Sequence, residues 1–368
     1  MRHAQRGGET QGLVRIALCS YYDGSDRHRV EVAGSLAVAK GRLMKAFMLD
    51  RYGSKVALRS GEVGDPELRD DDVLVRVHAA SVNVLDSKIR SGELKLILPH
   101  RLPLVLGHDL AGVIERVGAA VKHFRPGDEV FARPADLRVG TFAERIAVQE
   151  GDLAKKPKCL TMVEAASLPL VGLTAWQALV EVGQLKEGQK VFIQAGSGGV
   201  GTFAIQLAKH LGASVATTTS SANVELVRAL GADVVVDYKK EDFEARLRDY
   251  DLVLHSQDKK ALDKSLRVLR AGGRLVSISG PPDPDFATAI GAPWFVRLFT
   301  RIVSAGPRRT ARSLGTTFSF LWMKPSGDQL RKLATLIDAG KVGPVIDRVF
   351  PFQAVNEALR YVDTGRAK

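Results

Sequence analysis

Residues 190–221, KVFIQAGSGGVGTFAIQLAKHLGASVATTTSS, constrain this chain more tightly than any other stretch. Residues 190–194 read as a short apolar strand, and Gly196, Gly198 and Gly201 follow at the G-x-G-x-x-G spacing, opening a helix over 200–211. In such a turn the first glycine permits a tight reversal, the second lets the backbone approach a pyrophosphate, and the third lets the helix pack closely on the sheet. The helix also aims its free N–H groups and the positive end of its dipole at the phosphates. A Walker A loop is excluded, because Thr202 and Phe203 stand where that motif needs Lys and Ser/Thr. The stretch predicts a dinucleotide site.

The second strand of this unit distinguishes between dinucleotides. An NAD site places Asp or Glu about 20 residues after the first glycine to hold the ribose 2′-hydroxyl. This strand instead runs Thr217, Thr218, Thr219, Ser220, Ser221. A carboxylate there would repel a 2′-phosphate, whereas hydroxyls can donate to one, so NADP(H) is favoured over NAD(H). Arg228, Lys239 and Lys240 supply cations within reach.

The 368 residues, 45% of them hydrophobic, suffice for a large core and two domains. The uncharged windows 165–180 and 191–208 are broken by Pro169 and by the glycine turn, so neither reads as a membrane span. Two cysteines, Cys19 and Cys159, cannot build a disulfide framework or a four-thiolate zinc site, which fits a reducing, cytoplasmic setting. A net charge of +12 raises nucleic acid or an anionic membrane as partners. No aromatic RNA motif or basic helix-turn-helix pattern accompanies it, so no nucleic-acid partner is expected and the excess reads as solvated surface and attraction for an anionic cofactor. Residues 1–43 have mixed charge and weak periodicity. Arg15 interrupts their only apolar patch and Glu9, Asp23, Asp26 and Glu31 count against a transit peptide, so they read as a disordered tail or an added extension.

From Met44 the pattern is orderly. Strands are predicted at 44–53, 73–83, 111–118, 124–132 and 140–148, and helices at 162–166 and 172–182. Strands near 191–194, 214–218, 233–236, 251–254 and 273–279 then alternate with helices, and a helix at 328–340 and a strand at 344–352 follow. The expected fold is α/β: a Rossmann-type doubly wound parallel sheet, residues 166–325, inserted in a discontinuous β-rich domain made of 44–165 and 326–368. Within 281–325, Trp294, Phe295, Leu298, Phe299 and Ile302 share one broad helical face and Arg297 and Arg301 another. Core packing or a dimer contact is the expectation; a lid or a helix in weak contact with a membrane surface is the other reading, since Arg308, Arg309 and Arg312 add cations.

The strings AASVNVLDSKIRSG (79–92), PLVLGHDLAGVIERVG (103–118), FRPGDEVFA (124–132), AASLPLVGLTAWQAL (165–179) and AGSGGVG (195–201) together resemble the medium-chain dehydrogenase/reductase superfamily. The similarity runs from Met44 to the end and is strongest to its zinc-independent branch of quinone oxidoreductases and alkenal/enone reductases. It implies a GroES-like fold for the β-rich part and hydride transfer from NADPH to a quinone or to the C=C bond of an α,β-unsaturated carbonyl. Alternatives within the resemblance are an enoyl-thioester reductase and a non-enzymatic, crystallin-like protein that binds NADPH or RNA. A homodimer or a monomer is expected.

The resemblance also implies site residues. Zinc alcohol dehydrogenases of the superfamily carry a Cys ligand at the position of Asn83 and a His–Glu pair at His108–Asp109. Without the thiolate no catalytic metal is expected. Asn83 and Asp86 are implied beside nicotinamide and substrate, with Asn83 donating from its amide and Asp86 either there or structuring the loop. Lys88, where many relatives have Tyr, is placed to pair with a substrate oxygen, to donate a proton or to point to solvent, and Thr174 to lie by the nicotinamide ring or to serve as a helix-start hydroxyl. Backbone amides of Ser197, Gly199 and Val200, with Gly196, Gly198 and Gly201 shaping the turn, are implied at the pyrophosphate. Ser220 and Tyr238 are implied at the 2′-phosphate, and Asn223 replaces a Lys found there in some relatives. His255 departs from an Asp-x-x-Gly pattern and is a candidate pocket residue. The chain stops at GRAK where relatives continue into an apolar strand; a shortened sequence is the simpler expectation, and a native end would leave one sheet edge unpaired.

Overall fold

The structure is a computed structural model that describes residues 42–95, 97–291 and 293–367, together with the backbone of Leu13–Ala17 and Tyr21–Asp23. The chain divides into two units. One comprises the described part of residues 1–169 with Ser326–Asp328 and Ile346–Ala367; the other comprises Leu170–Pro325 and Gln329–Val345.

The second unit is built on six parallel strands in the spatial order Val234–Asp237, Ser214–Thr219, Lys190–Ile193, Tyr250–His255, Leu269–Ser277, Thr317–Phe320. The first three build outward in one direction. The chain then returns to the other side of Lys190–Ile193, so the topological switch point lies between Lys190–Ile193 and Tyr250–His255, where a doubly wound sheet opens a crevice at its carboxyl ends. One face of the sheet presents Phe192, Ala216, Val236 and Val253 to Leu262 and Leu266 of helix Lys259–Arg267 and Ala311 of helix Ala305–Ser313, all buried. The sixth strand, Thr317–Phe320, falls inside 281–325, where the sequence predicts a helical face and no strand.

Residues 329–345 group with this unit rather than with the β-rich part, which corrects the expected boundary at 325/326. Three contacts explain it. A Cβ on Gly172 would lie 3.0 Å from Leu333, Gln177 Nε2 donates to Gln329 Oε1 at 2.8 Å, and Gln206 and Gly343 exchange hydrogen bonds of 2.9 and 3.0 Å. The predicted helix at 172–182 is two elements, an α-helix Pro169–Trp176 and a π-helical stretch Gln177–Val182.

In the first unit a mainly antiparallel sheet holds Leu153–Lys155, Glu129–Ala132, Asp109–Val117 and Asp72–Ser81 side by side, with Arg145–Gln149 also on Asp72–Ser81. A smaller sheet is made by Arg59–Gly64, Leu43–Leu49 and Leu104–Val105. The expected tail at 1–43 falls mostly outside the described residues. Its strand Leu13–Ala17 pairs with Ser81 and with Val349–Phe350. Two long-range ties close the unit. Asn356 accepts from Leu58 N–H and donates to Leu58 C=O, at 2.7 and 2.9 Å, and the buried Arg90 pairs with Asp363 at 2.6 Å.

Candidate functional site

The first cluster forms where strand Asp72–Ser81 turns into helix Val84–Ser91. Asn83 caps the helix from an extended conformation, and its backbone N–H donates to the Asp86 carboxylate at 2.7 Å, the reciprocal bond of a capping box. The other Asp86 oxygen takes His108 Nδ1 at 2.7 Å, and both side chains are completely buried. His108 Nε2 is buried with no hydrogen-bond partner. Asp86 therefore structures the loop, the second of its two expected roles: its oxygens face His108 and the Asn83 backbone.

The Asn83 side chain is held equally firmly. Its Nδ2 donates to Ser81 Oγ at 3.0 Å and to Asp109 Oδ2 at 3.1 Å, and Ser81 Oγ donates to the same Asp109 oxygen at 2.7 Å. The expected amide donation toward substrate is corrected by this geometry. Both amide hydrogens are engaged inside the loop, leaving the carbonyl Oδ1 as the group Asn83 can offer a ligand. Lys88, one turn along the helix, is half-exposed and makes no ion pair among the described residues. Asp109 was not among the expected catalytic residues; its link to Asn83 bridges 26 positions and leaves no local signal.

Complete burial pushes the Asp109 carboxyl up to about 6, against the bonds from Ser81 and Asn83 and the charges of His108 and Arg133, which favour the anion. The ordinary value is 3.8. Between these values the folded chain holds the proton that the unfolded chain has lost. The stability contributed is complete below the ordinary value and is lost as pH rises through about 6. The anion that orients Asn83 prevails only above that pH, so kcat/KM should show an acid limb near 6 that Asp109→Asn removes. A wild-type pH–rate profile flat between about pH 5 and 7 would separate Asp109 from function.

The second cluster lies wholly in the other unit, at the carboxyl end of Lys190–Ile193. Here the left-handed residue is Ala195, with φ 51°, not Gly196. Gly196 is required for another reason: a Cβ would sit 2.1 Å from Thr217 Oγ1 and 2.9 Å from its Cβ, on the adjacent strand. A Cβ on Gly201 would meet the Ala195 carbonyl at 2.3 Å and Gly196 Cα at 2.7 Å, whereas one on Gly198 meets only the Ala195 carbonyl at 3.3 Å. The first helical bond of Gly199–His210 runs from Thr202 N–H to the Gly198 carbonyl. The amides of Gly199, Val200 and Gly201 precede it and open at the helix mouth.

Thr219 and Asn223 both donate to Ser197 Oγ, at 2.9 and 3.2 Å, joining the glycine turn to the hydroxyl-rich strand end, and Ser220 Oγ accepts from Asn223 at 3.4 Å. Tyr238 is 61% exposed, and its backbone N–H donates to Thr219. Sequence reasoning missed Asp237, which pairs in register with Thr219. Its carboxyl is held below the ordinary range, chiefly by the Ser221 hydroxyl, with further help from Lys239 N–H and Lys240. Of the expected cations, Arg228 pairs with Glu225 and Lys240 with Asp237. Thr174 Oγ1 donates to the Leu170 carbonyl at 2.7 Å, and Val171 on the same helix would touch a Cβ on Gly199 at 3.3 Å, so this helix reaches the phosphate turn. His255 ends the strand across the switch point, fully buried; burial lowers it to about 4, against the Gln257 backbone and the charges of Asp258 and Asp263, keeping the imidazole neutral.

Residues 69–158 match the alcohol dehydrogenase GroES-like domain, and residues 230–368 match a family described as zinc-binding dehydrogenase. The chain is 36% identical to the mitochondrial NAD(P)H oxidoreductase RTN4IP1 of Mus musculus, over 91% of this chain and 90% of that one. The chain belongs to the medium-chain dehydrogenase/reductase superfamily. Another relative is the chloroplastic NADPH-dependent alkenal/one oxidoreductase of Arabidopsis thaliana, 37% identical over 88% of this chain and 78% of that one. Among solved structures, the quinone oxidoreductase from Coxiella burnetii superposes with a TM-score of 0.77 at 30% identity, covering 89% of this chain and 98% of that chain.

As a medium-chain dehydrogenase/reductase, the chain can be tested for the two groups its superfamily implies. The cradle at 195–201, closed to a Cβ at Gly196 and Gly201 and open at the helix mouth, fits a dinucleotide pyrophosphate. Zinc fits poorly. Asn83 supplies no thiolate, His108 Nδ1 is committed to Asp86, and Asp109 accepts from Asn83 and Ser81. Among the described residues no group of three or more His, Cys, Asp or Glu is placed to hold a metal.

Proposed function

We propose that this protein is an NADPH-dependent reductase of conjugated acceptors, a quinone or the C=C bond of an α,β-unsaturated carbonyl, working without catalytic zinc. The observation that carries the reading is the Asn83–Ser81–Asp109 cage, which occupies the superfamily's metal-ligand position with a neutral amide whose donors are spent inside the protein. With no Lewis acid to polarise a simple carbonyl, the acceptor must delocalise the charge itself. The names of the alkenal/one and quinone oxidoreductase relatives support the same class.

When bound, NADPH supplies a hydride from nicotinamide C4. The residues of the chain do the rest. Amides of Gly199 and Val200, with Ser197 beside them, hold the pyrophosphate, while Ser220, Tyr238 and Lys239 hold the 2′-phosphate. Asp237 does not oppose this, because Ser221, Lys239 N–H and Lys240 compensate its charge. Asn83 offers an acceptor and Lys88 the cationic donor to the oxygen that gains charge, the role Asn83 cannot fill with its amide hydrogens committed.

An NADPH-oxidation screen across quinones, 2-alkenals, enones and saturated ketones tests the reading. Turnover is expected with the conjugated acceptors alone, giving the saturated ketone from an enone and persisting under exhaustive chelation. NADPH should exceed NADH in kcat/KM by about tenfold or more, and Ser220→Asp should shift the preference toward NADH by placing a carboxylate against the 2′-phosphate. Allylic alcohol as the product, or loss of turnover on chelation, would overturn the proposed chemistry.

A further inference from the structure

The helix Trp294–Val303 does not bury its apolar face. Trp294, Phe295, Leu298, Phe299 and Ile302 are 75, 58, 49, 61 and 65% exposed, while the inward residue is the polar Thr300, 2% exposed. At 3.6 residues per turn the five apolar side chains span an arc of roughly 140°, opposite Thr300, with Arg297 and Arg301 along one flank. The expectation of core packing is thus overturned. Contiguous exposed apolar surface of this kind marks an interaction site.

The surrounding charge identifies what covers it. No Asp or Glu occurs between Asp285 and Asp328, a run that contains Arg297, Arg301, Arg308, Arg309, Arg312 and Lys324. All of these are exposed except Arg308, which is half-buried in the neighbouring helix Ala305–Ser313. A two-fold contact between copies would set this cationic patch against itself, with no carboxylate in the segment to separate the charges. A surface of anionic lipid would neutralise it while receiving the aromatic and aliphatic side chains. Ten residues make a helix of about 15 Å, half the thickness of a bilayer core, so it would lie along the interface and not across it. We propose that the face Trp294–Ile302 docks the protein on anionic lipid bilayers, with the apolar side chains seated at the acyl boundary and the arginines at the phosphates. For a reductase of lipophilic acceptors this surface would bring the protein to where such acceptors partition.

The test is co-sedimentation of the full chain with large unilamellar vesicles of phosphatidylcholine, with and without phosphatidylglycerol. Binding is expected only to the mixed vesicles, with a blue shift of Trp emission that Trp294→Phe abolishes. The double variant Phe295→Ser/Phe299→Ser should lose affinity by about tenfold or more, and Arg297→Glu/Arg301→Glu should lose the dependence on phosphatidylglycerol. Unchanged melting and NADPH affinity show that the variants fold. Absence of binding to the mixed vesicles overturns the proposal, as does equal binding by the serine double variant, which would assign attraction to general positive charge. A dimer in sedimentation velocity that the serine variant dissociates would also overturn it, by showing a second copy on this face. So would a rise in acceptor KM in that variant without lipid binding, which would make the helix a substrate lid.

Discussion

Gly201→Val should weaken NADPH binding by about 100-fold or more, the equivalent of losing two hydrogen bonds to charged phosphate. A Cβ at this position meets only backbone: the Ala195 carbonyl at 2.3 Å, Gly196 Cα at 2.7 Å and the Gly196 carbonyl carbon at 2.9 Å. No side-chain rotation relieves such contacts, so the helix Gly199–His210 must move off the strand end, taking the amides of Gly199 and Val200 with it. Gly306→Ala is the matching control, since it lies in helix Ala305–Ser313 with open space around the added carbon, and it should bind NADPH as the parent does. Calorimetric titration reads both. An unchanged dissociation constant in Gly201→Val would show that the turn does not hold the cofactor.

Asp86→Ala should be among the most destabilising single substitutions in the first unit. It leaves the buried His108 Nδ1 and the part-buried Asn83 N–H without their acceptor, a loss of about 3–5 kcal/mol that would lower the melting temperature by on the order of 10 °C. Asp86→Asn keeps one acceptor oxygen and should recover part of the loss. Since the loop carries Asn83 and Lys88, turnover should fall further than the melting point alone explains at a temperature where the variant is folded. A melt identical to wild type would mean that the Asp86–His108 pair does not hold the loop.

The parts legible in the sequence share one property: their cause is local. Glycine spacing gives the turn at 196–201, and the helix Met162–Ala166 carries its capping box, Thr161 and Glu164, within four residues. The parallel strands of the second unit announce themselves as short apolar runs. Long-range geometry decides the rest. That Asn83 turns its amide inward depends on Asp109, and that Gly196 is obligatory depends on Thr217, a neighbour only once two strands are parallel. The strand Thr317–Phe320 has no fully buried residue and so no apolar run to mark it, and the helix Val355–Asp363 follows a stretch that reads as strand. The helix Trp294–Val303 has the periodicity of a core element, and periodicity alone does not say whether a partner waits on the apolar side.

The reciprocal bonds between Leu58 and Asn356 and the pair Arg90–Asp363 have a consequence for biosynthesis. On the ribosome, the nascent chain presents Leu58 and Arg90 long before Asn356 and Asp363, with the whole insert emerging in between. The inserted unit has every strand of its parallel sheet by residue 320 and its last residues by 345, so it can complete while the first unit is still open. The loop bearing Asn83 and Asp86 is tied down last, when the helix Val355–Asp363 arrives. Translation order therefore lets the glycine turn at 195–201 form before the loop bearing Asn83 and Asp86 is fixed, and a chain interrupted after the insert would carry a complete parallel sheet without a closed first unit.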